Sequence, residues 1–93
     1  MNNTETSSKT TNTTLEQRLT RGEMEIIFRQ TGLSISEFFK QAKELYSVHW
    51  YYRKLNRDVI PLALANFFQD YVAAHITAEG YENLLQEIRG EHQ

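Results

Sequence analysis

The feature that most constrains the fold is a helical spacing of apolar side chains, which continues with few interruptions from residue 24 to residue 88. Within each stretch these side chains recur at steps of three and four, which places them on one face of an α-helix. A half-buried strand would alternate apolar and polar residues, and such alternation occurs only in stretches that fit a helix better. The sequence therefore predicts an all-α fold, a compact bundle of about four helices with a disordered N-terminal tail.

The first helix is expected to run from Thr20 to Thr31. Thr20 and Glu23 have the spacing of a capping box, in which each side chain accepts a hydrogen bond from the other residue's backbone amide. Gly32 lies where a left-handed residue commonly ends a helix. Thr14 and Gln17 form a second capping pattern upstream, so we expect helix from about residue 15 and allow a break near residues 20–22.

The second helix is predicted to begin at Ser34 and to end near Asn56. Ser34 forms a capping-box pattern with Glu37. The inward face follows steps of three and four throughout, which predicts one unbroken helix. The residues assigned to that face are Ile35, Phe38, Phe39, Ala42, Leu45, Tyr46, His49 and Tyr52.

The third helix is expected after Asp58, a good N-cap, with Pro61 in its first turn, where a missing amide proton costs nothing. From residue 59 to residue 74 the chain is apolar on almost every side, which is typical of a helix buried between neighbours. We expect this helix to be the central one, or the centre of a dimer.

The last helix follows Thr77 and ends at Gly90. Short connections between the helices favour antiparallel neighbours.

The domain organisation follows from composition. Residues 1–14 are mostly Thr, Asn and Ser, so we expect them to form a disordered polar tail. Residues 15–90 are expected to form a single helical domain, and residues 91–93 a short C-terminal tail. The chain has no cysteine, which excludes disulfides and thiolate metal sites. For a domain this small, self-association is the stabilising device that remains.

The net charge of −2 argues against general binding to polyanions. The charge is unevenly distributed, because residues 41–57 carry four basic side chains against one acidic, and residues 58–93 carry six acidic against one basic. A polar stretch follows Met1 instead of an apolar signal segment, and no run approaches the roughly 20 apolar residues of a membrane span. We expect a cytoplasmic protein with no membrane contact.

The least common local pattern is four consecutive ring-bearing residues, His49 to Tyr52, followed closely by basic residues. Four consecutive helical positions point in four directions, so they cannot all enter one core. If His49 and Tyr52 face inward, Trp50 and Lys54 share another surface. Tryptophan, tyrosine and arginine dominate the binding energy of protein interfaces. The residues expected to bind a protein partner are Trp50, Tyr51, Arg53, Lys54 and Arg57.

Two other interpretations of this pattern stay open. The rings could pack under neighbouring helices while the basic groups are solvated, or they could stack on nucleobases beside phosphates. A second candidate surface lies on the third predicted helix. Phe67, Phe68 and Tyr71 together carry more aromatic surface than a small bundle is expected to bury. We expect these three residues to mediate self-association as a homodimer; the alternative is an ordinary monomer core.

The residues from Gly32 to Phe39 resemble the turn between the two helices of ribbon-helix-helix repressors, in which a glycine and a small polar residue precede an apolar helix. They also loosely resemble a helix-turn-helix. The resemblance implies a DNA-binding transcriptional or plasmid/phage-type regulator, with its DNA-binding segment around residues 20–46. The match covers less than a third of the chain, and upstream Gln17 stands where that family has an apolar strand residue.

No pattern indicates catalysis, a cofactor or a metal ion. The sequence lacks a glycine-rich phosphate loop, and no nucleophile has a convincing base partner. The three histidines show no ligand spacing. We therefore expect no catalytic, cofactor-binding or metal-binding residues. The sequence favours a non-enzymatic protein-interaction module, a small helical adaptor, inhibitor or regulator that self-associates.

Overall fold

The computed structural model describes residues 18–91, and five α-helices follow one another in that range with no strand between them. The helices are α1 (Arg21–Thr31), α2 (Ile35–Gln41), α3 (Val48–Tyr52), α4 (Leu62–Ile76) and α5 (Ala78–Glu91). The predicted all-α bundle is confirmed, with five helices where about four are expected from the sequence. The predicted disordered tail, residues 1–14, lies outside the described residues, as do residues 92 and 93 of the predicted C-terminal tail.

The first helix begins and ends as its capping residues predict. The Thr20 side chain accepts from the Glu23 amide, and the Glu23 carboxylate accepts from the Thr20 amide. Gly32 adopts the left-handed conformation, with φ of 75°, and its amide donates to the Phe28 carbonyl. An earlier helix start is wrong for residues 18–20, because the Ile60 amide donates to the carbonyl of residue 19 and draws that stretch into an extended bridge.

The prediction of one long second helix is wrong, because the chain turns between α2 and α3. The amides of Leu45 and Tyr46 both donate to the Ala42 carbonyl, which ends the helix. Ser47 is then extended and starts α3, since its hydroxyl accepts from the Trp50 amide at 3.2 Å. Serine favours such positions because its hydroxyl replaces a missing helical acceptor.

Helix α4 begins at Leu62, later than predicted. The Asp58 carboxylate accepts from the Leu55 amide at 2.9 Å, so it caps the preceding turn and not the helix. Val59 forms a bridge with Thr20, the Ile60 amide donates to the Leu19 carbonyl, and Pro61 holds the N-cap position. The pairing of residues 59–60 with residues 19–20 therefore prevents the helix from starting directly after Asp58.

The core is an aromatic cluster with Phe38 of α2 at its centre. The Phe38 ring centroid lies 5.7 Å from that of Phe28 in α1, and 5.4 Å and 5.1 Å from those of Phe68 and Tyr71 in α4. Edge-to-face pairs of this kind stabilise beyond simple burial. Further buried apolar side chains surround the cluster. They are Leu19, Met24, Ile27, Phe39, Ala42, Tyr51, Ile60, Leu64, Val72, Tyr81 and Ile88.

Helix α4 is buried on one face only, which corrects the expectation of a helix buried on all sides. Leu64, Phe68 and Val72 form the buried face. On other faces Leu62 is 48% exposed and Ala74 is also exposed. The uniform apolarity of this helix therefore leaves apolar side chains at the surface.

A single residue, Thr77, connects α4 to α5. Its backbone has φ of 76° and ψ of 158°, a conformation that costs a residue other than glycine about 1–3 kcal/mol. Its hydroxyl accepts from the Gly80 amide at 3.0 Å, as its predicted capping role requires. The contacts of α5 with α4 and α1 offset the strain of this sharp connection.

An ion pair holds the end of α5 against the start of α1. Arg89 donates to the two carboxylate oxygens of Glu23 at 2.9 Å and 3.2 Å, and also to the Arg18 carbonyl at 3.3 Å. The hydrogen bond to Glu23 raises the pKa of Arg89. Since Glu23 also closes the capping box, one carboxylate serves both the helix start and the attachment of α5.

We expect Glu23→Ala to lower the free energy of unfolding by about 1–3 kcal/mol, because it removes half of the capping box and leaves Arg89 without this carboxylate. Glu37→Ala is the matched control, since that carboxylate pairs with Lys40 and both side chains are exposed. Its effect should stay within about 0.5 kcal/mol. Urea denaturation followed by circular dichroism measures both, and equal losses would contradict the assigned role of Glu23.

Candidate interaction surface

Residues 49–57, the aromatic–basic segment, comprise most of α3 and the turn that follows it. Tyr51 faces inward and has no exposed surface; its ring centroid lies 6.2 Å from that of Phe28 and 5.4 Å from that of Phe39. The Arg21 guanidinium lies 4.3 Å from the Tyr51 ring centroid, and the Tyr51 hydroxyl donates to Glu25. Burial raises the pKa of Tyr51 well above its usual range, so the phenol stays protonated. Tyr51 thus anchors the segment and is not accessible to a partner.

Hydrogen bonds to the first turn of α1 fix the backbone of the segment. The Arg21 amide donates to the Asp58 carbonyl at 2.8 Å, and the Gly22 amide donates to the Asn56 carbonyl at 2.9 Å. The Arg21 side chain, only 12% exposed, donates to the Tyr51 carbonyl and to the Asn56 side-chain oxygen. A Cβ at residue 22 would lie 3.1 Å from the Asn56 carbonyl oxygen, so glycine permits this close approach.

Trp50 and Lys54 share one side of the segment. The Trp50 ring packs against Tyr46, with 4.5 Å between ring centroids, and the Lys54 ammonium lies 5.5 Å from the Trp50 centroid. Trp50 remains partly exposed. A partly exposed tryptophan beneath a lysine gives a surface that offers both apolar contact area and positive charge.

The expectation that His49 and Tyr52 face inward is wrong, since both are exposed and Tyr52 is 59% exposed. The break before Ser47 shifts the helical phase, which turns Tyr51 inward instead. Tyr52 is therefore a surface residue that the sequence analysis missed, and recognising Ser47 as an N-cap would have identified it. Leu55 is a second surface residue that the sequence analysis did not identify, and it is 51% exposed.

Arg53 and Arg57 are exposed, and among the described residues neither has an ion-pair partner within 4.0 Å. Of the residues predicted to bind a partner, the structure brings Trp50, Arg53, Lys54 and Arg57 to the surface of one short stretch. His49, Leu55 and Asn56 are exposed in the same stretch. We use the term accessible part of the aromatic–basic segment for the four predicted residues together with Tyr52.

The predicted self-association residues separate into two groups. Phe68 is fully buried against Phe28 and Phe38 and belongs to the core of one chain. Phe67 and Tyr71 are partly exposed and line a surface depression of about 330 Å³ on α4. The other residues of that depression are Gln41, Asp70, Ala74 and His75.

Within residues 18–91, no group of three or more histidine, aspartate or glutamate side chains is arranged to hold a metal ion. In the same part of the chain, every helix is too short or too polar to cross a membrane. The chain matches no known protein-family model, no curated protein and no solved structure.

We expect Arg21→Met to lower the free energy of unfolding by about 1–3 kcal/mol, because the Tyr51 carbonyl and the Asn56 side chain lose a charged donor. Hydrogen–deuterium exchange of the Gly22 amide, which donates to the Asn56 carbonyl of the same turn, should also become faster. The control is Arg29→Met on the same helix, where the side chain is 69% exposed. Comparable losses of stability in the two variants, or unchanged exchange at Gly22, would argue against the anchoring role of Arg21.

Proposed function

We propose that this chain is a non-enzymatic protein-interaction module, a small helical adaptor, inhibitor or regulator of the cytoplasm, and that its partner contacts the accessible part of the aromatic–basic segment. The observation that supports the proposal is the exposure of tryptophan, tyrosine and arginine side chains on one short, internally anchored stretch. These residue types contribute most of the binding energy at protein interfaces.

The anchoring matters because a binding loop that must be ordered on association loses affinity. Here the backbone at residues 56 and 58 accepts hydrogen bonds from α1, and Tyr51 is packed in the core. The exposed neighbours Tyr52 and Arg53 are therefore displayed on a backbone that is already ordered. Binding would cost little beyond the fixing of side-chain rotamers.

A DNA-binding regulator is the alternative from the sequence analysis. Its segment around residues 20–46 would present α2, where the exposed Lys40 lies 3.4 Å from the Glu37 carboxylate. A recognition helix whose lysine is paired in this way offers little net charge to phosphates. We therefore keep DNA binding as an outcome to be checked by gel shift at low salt, and favour the protein-interaction module.

We expect the double variant Trp50→Ala, Arg53→Ala to fold normally and to lose its protein partner. The test is affinity capture from the native lysate with a tagged chain, and quantitative mass spectrometry of what is retained. The control is Gln30→Ala, Lys40→Ala, which removes two exposed polar side chains from α1 and α2. If the Trp50 and Arg53 variant retains the same proteins as the wild type, the assigned surface is wrong.

We further propose that the module self-associates through the α4 depression, with Phe67 and Tyr71 at its centre. Light scattering after size-exclusion chromatography should give a dimer at tens of micromolar protein. Ala74→Glu places a charge in the depression at an exposed position and should give a monomer. Ala63→Glu, exposed on the same helix outside that depression, should leave the dimer intact. A wild-type monomer would refute self-association.

A further inference from the structure

A groove runs along α1 beside the aromatic–basic segment and includes residues outside that segment. It consists of two adjoining depressions, with volumes of about 350 Å³ and about 940 Å³, which share Glu25 and Arg29 in their lining. The smaller depression reaches Tyr52, and the larger one reaches Asn56 and Arg57. The groove therefore links the start of α2 to the turn after α3.

The smaller depression is the apolar end of the groove. Its apolar lining consists of Phe28, Leu33, Ile35 and the exposed ring of Tyr52. Leu33 and Ile35 are partly exposed, so a bound apolar side chain would contact them directly. The volume is enough for a side chain of the size of leucine or phenylalanine, and burying one there removes apolar area from water on both partners.

Both carboxylates in the described groove lining are already neutralised. Glu23 binds Arg89 of α5, which lies outside the groove lining. Glu25 forms an ion pair with Arg21, and the Tyr51 hydroxyl also donates to it. Neither carboxylate therefore carries a full uncompensated charge toward a ligand.

Positive charge remains in the groove lining, at Arg29 where the two depressions adjoin and at Arg57 in the larger one. Arg29 lies 3.7 Å from Glu25, but Arg21 holds that carboxylate more closely and the Arg29 side chain is 69% exposed. Arg57 is exposed and has no ion-pair partner among the described residues. Arginine binds carboxylates with two parallel hydrogen bonds, so both side chains suit an acidic ligand.

We propose that the groove binds an acidic peptide segment of the partner protein, with one large apolar side chain against Tyr52 and carboxylates on Arg29 and Arg57. The inference rests on the proposed function and names the chemistry of the partner. A peptide fits this lining better than a nucleic acid does. The groove has few basic side chains and one apolar end, whereas proteins bind phosphate backbones through many basic contacts.

The test begins with selection of random twelve-residue peptides displayed on phage against the wild-type chain. We expect the selected peptides to combine two or more Asp or Glu residues with one Leu, Phe, Ile or Met. The best of them, synthesised with a fluorescent label, is then titrated by fluorescence anisotropy. Arg29→Glu and Tyr52→Ala should each weaken binding by at least about tenfold, and binding should also weaken as salt rises.

The matched control is Lys40→Glu, which makes the same charge change at an exposed position outside the groove lining. It should change the affinity by less than about twofold. Circular dichroism verifies that the variants are folded, and Arg57→Glu provides an independent change at the other end of the groove. The titration is repeated with a labelled single-stranded DNA of equal charge, which should not bind comparably.

The outcomes separate the inference from the proposed function. Selection of basic or uncharged peptides, no selection at all, or equal affinity for the DNA would overturn the acidic-peptide assignment. If binding survives Arg29→Glu and Tyr52→Ala but is lost in the Trp50→Ala, Arg53→Ala variant, the groove is wrong and the proposed function stands. Binding that no variant changes, together with unchanged capture of the native partner, would contradict both.

Discussion

The structure depends on how the first turn of α1 uses its free amides. The first backbone amides of a helix have no acceptor within it and must find one elsewhere. Thr20 and Glu23 satisfy each other's amides through their side chains, while Arg21 and Gly22 donate to carbonyls of the connection between α3 and α4. The same Glu23 carboxylate binds Arg89, 66 residues along the chain. A local requirement of one helix thus joins that helix to the aromatic–basic segment and to α5.

The capping residues explain which parts of the fold could be predicted. Thr20, Ser34 and Thr77 begin helices because each places a hydroxyl on an amide three residues ahead, which is a local effect readable from the sequence. Periodicity alone did not reveal the turn at residues 42–47, because the apolar spacing continues through that turn as it would through a helix. The extended stretch before α4 was missed for another reason: its acceptor is the Leu19 carbonyl, and no local pattern reports so distant a pairing.

The same distinction applies to the candidate surface. Trp50 and Lys54 lie together, as their spacing of four residues led us to expect. That expectation assumed that His49 and Tyr52 face inward on a helix that includes Lys54, and both assumptions are wrong, because α3 ends at Tyr52 and both side chains are exposed. Which of Tyr51 and Tyr52 enters the core depended on the break before α3, and a single serine was the only signal of it. The position of Arg29 beside the aromatic–basic segment could not be predicted, because α1 approaches that segment only through tertiary packing.

Net charge is a poor guide to the electrostatics of this surface. The chain carries −2 overall, yet Glu23 and Glu25 are held by arginines. Among the described side chains of α4 and α5, no acidic one lines the groove. Charges separated by more than about 10 Å are largely screened at 0.1 M salt, so an acidic side chain compensates Arg29 or Arg57 only where it lies close to that arginine. The groove lining thus carries three arginines against two carboxylates on a chain that is negative overall. Under the proposed binding mode, this local excess of positive charge would favour the encounter of an acidic ligand at that side.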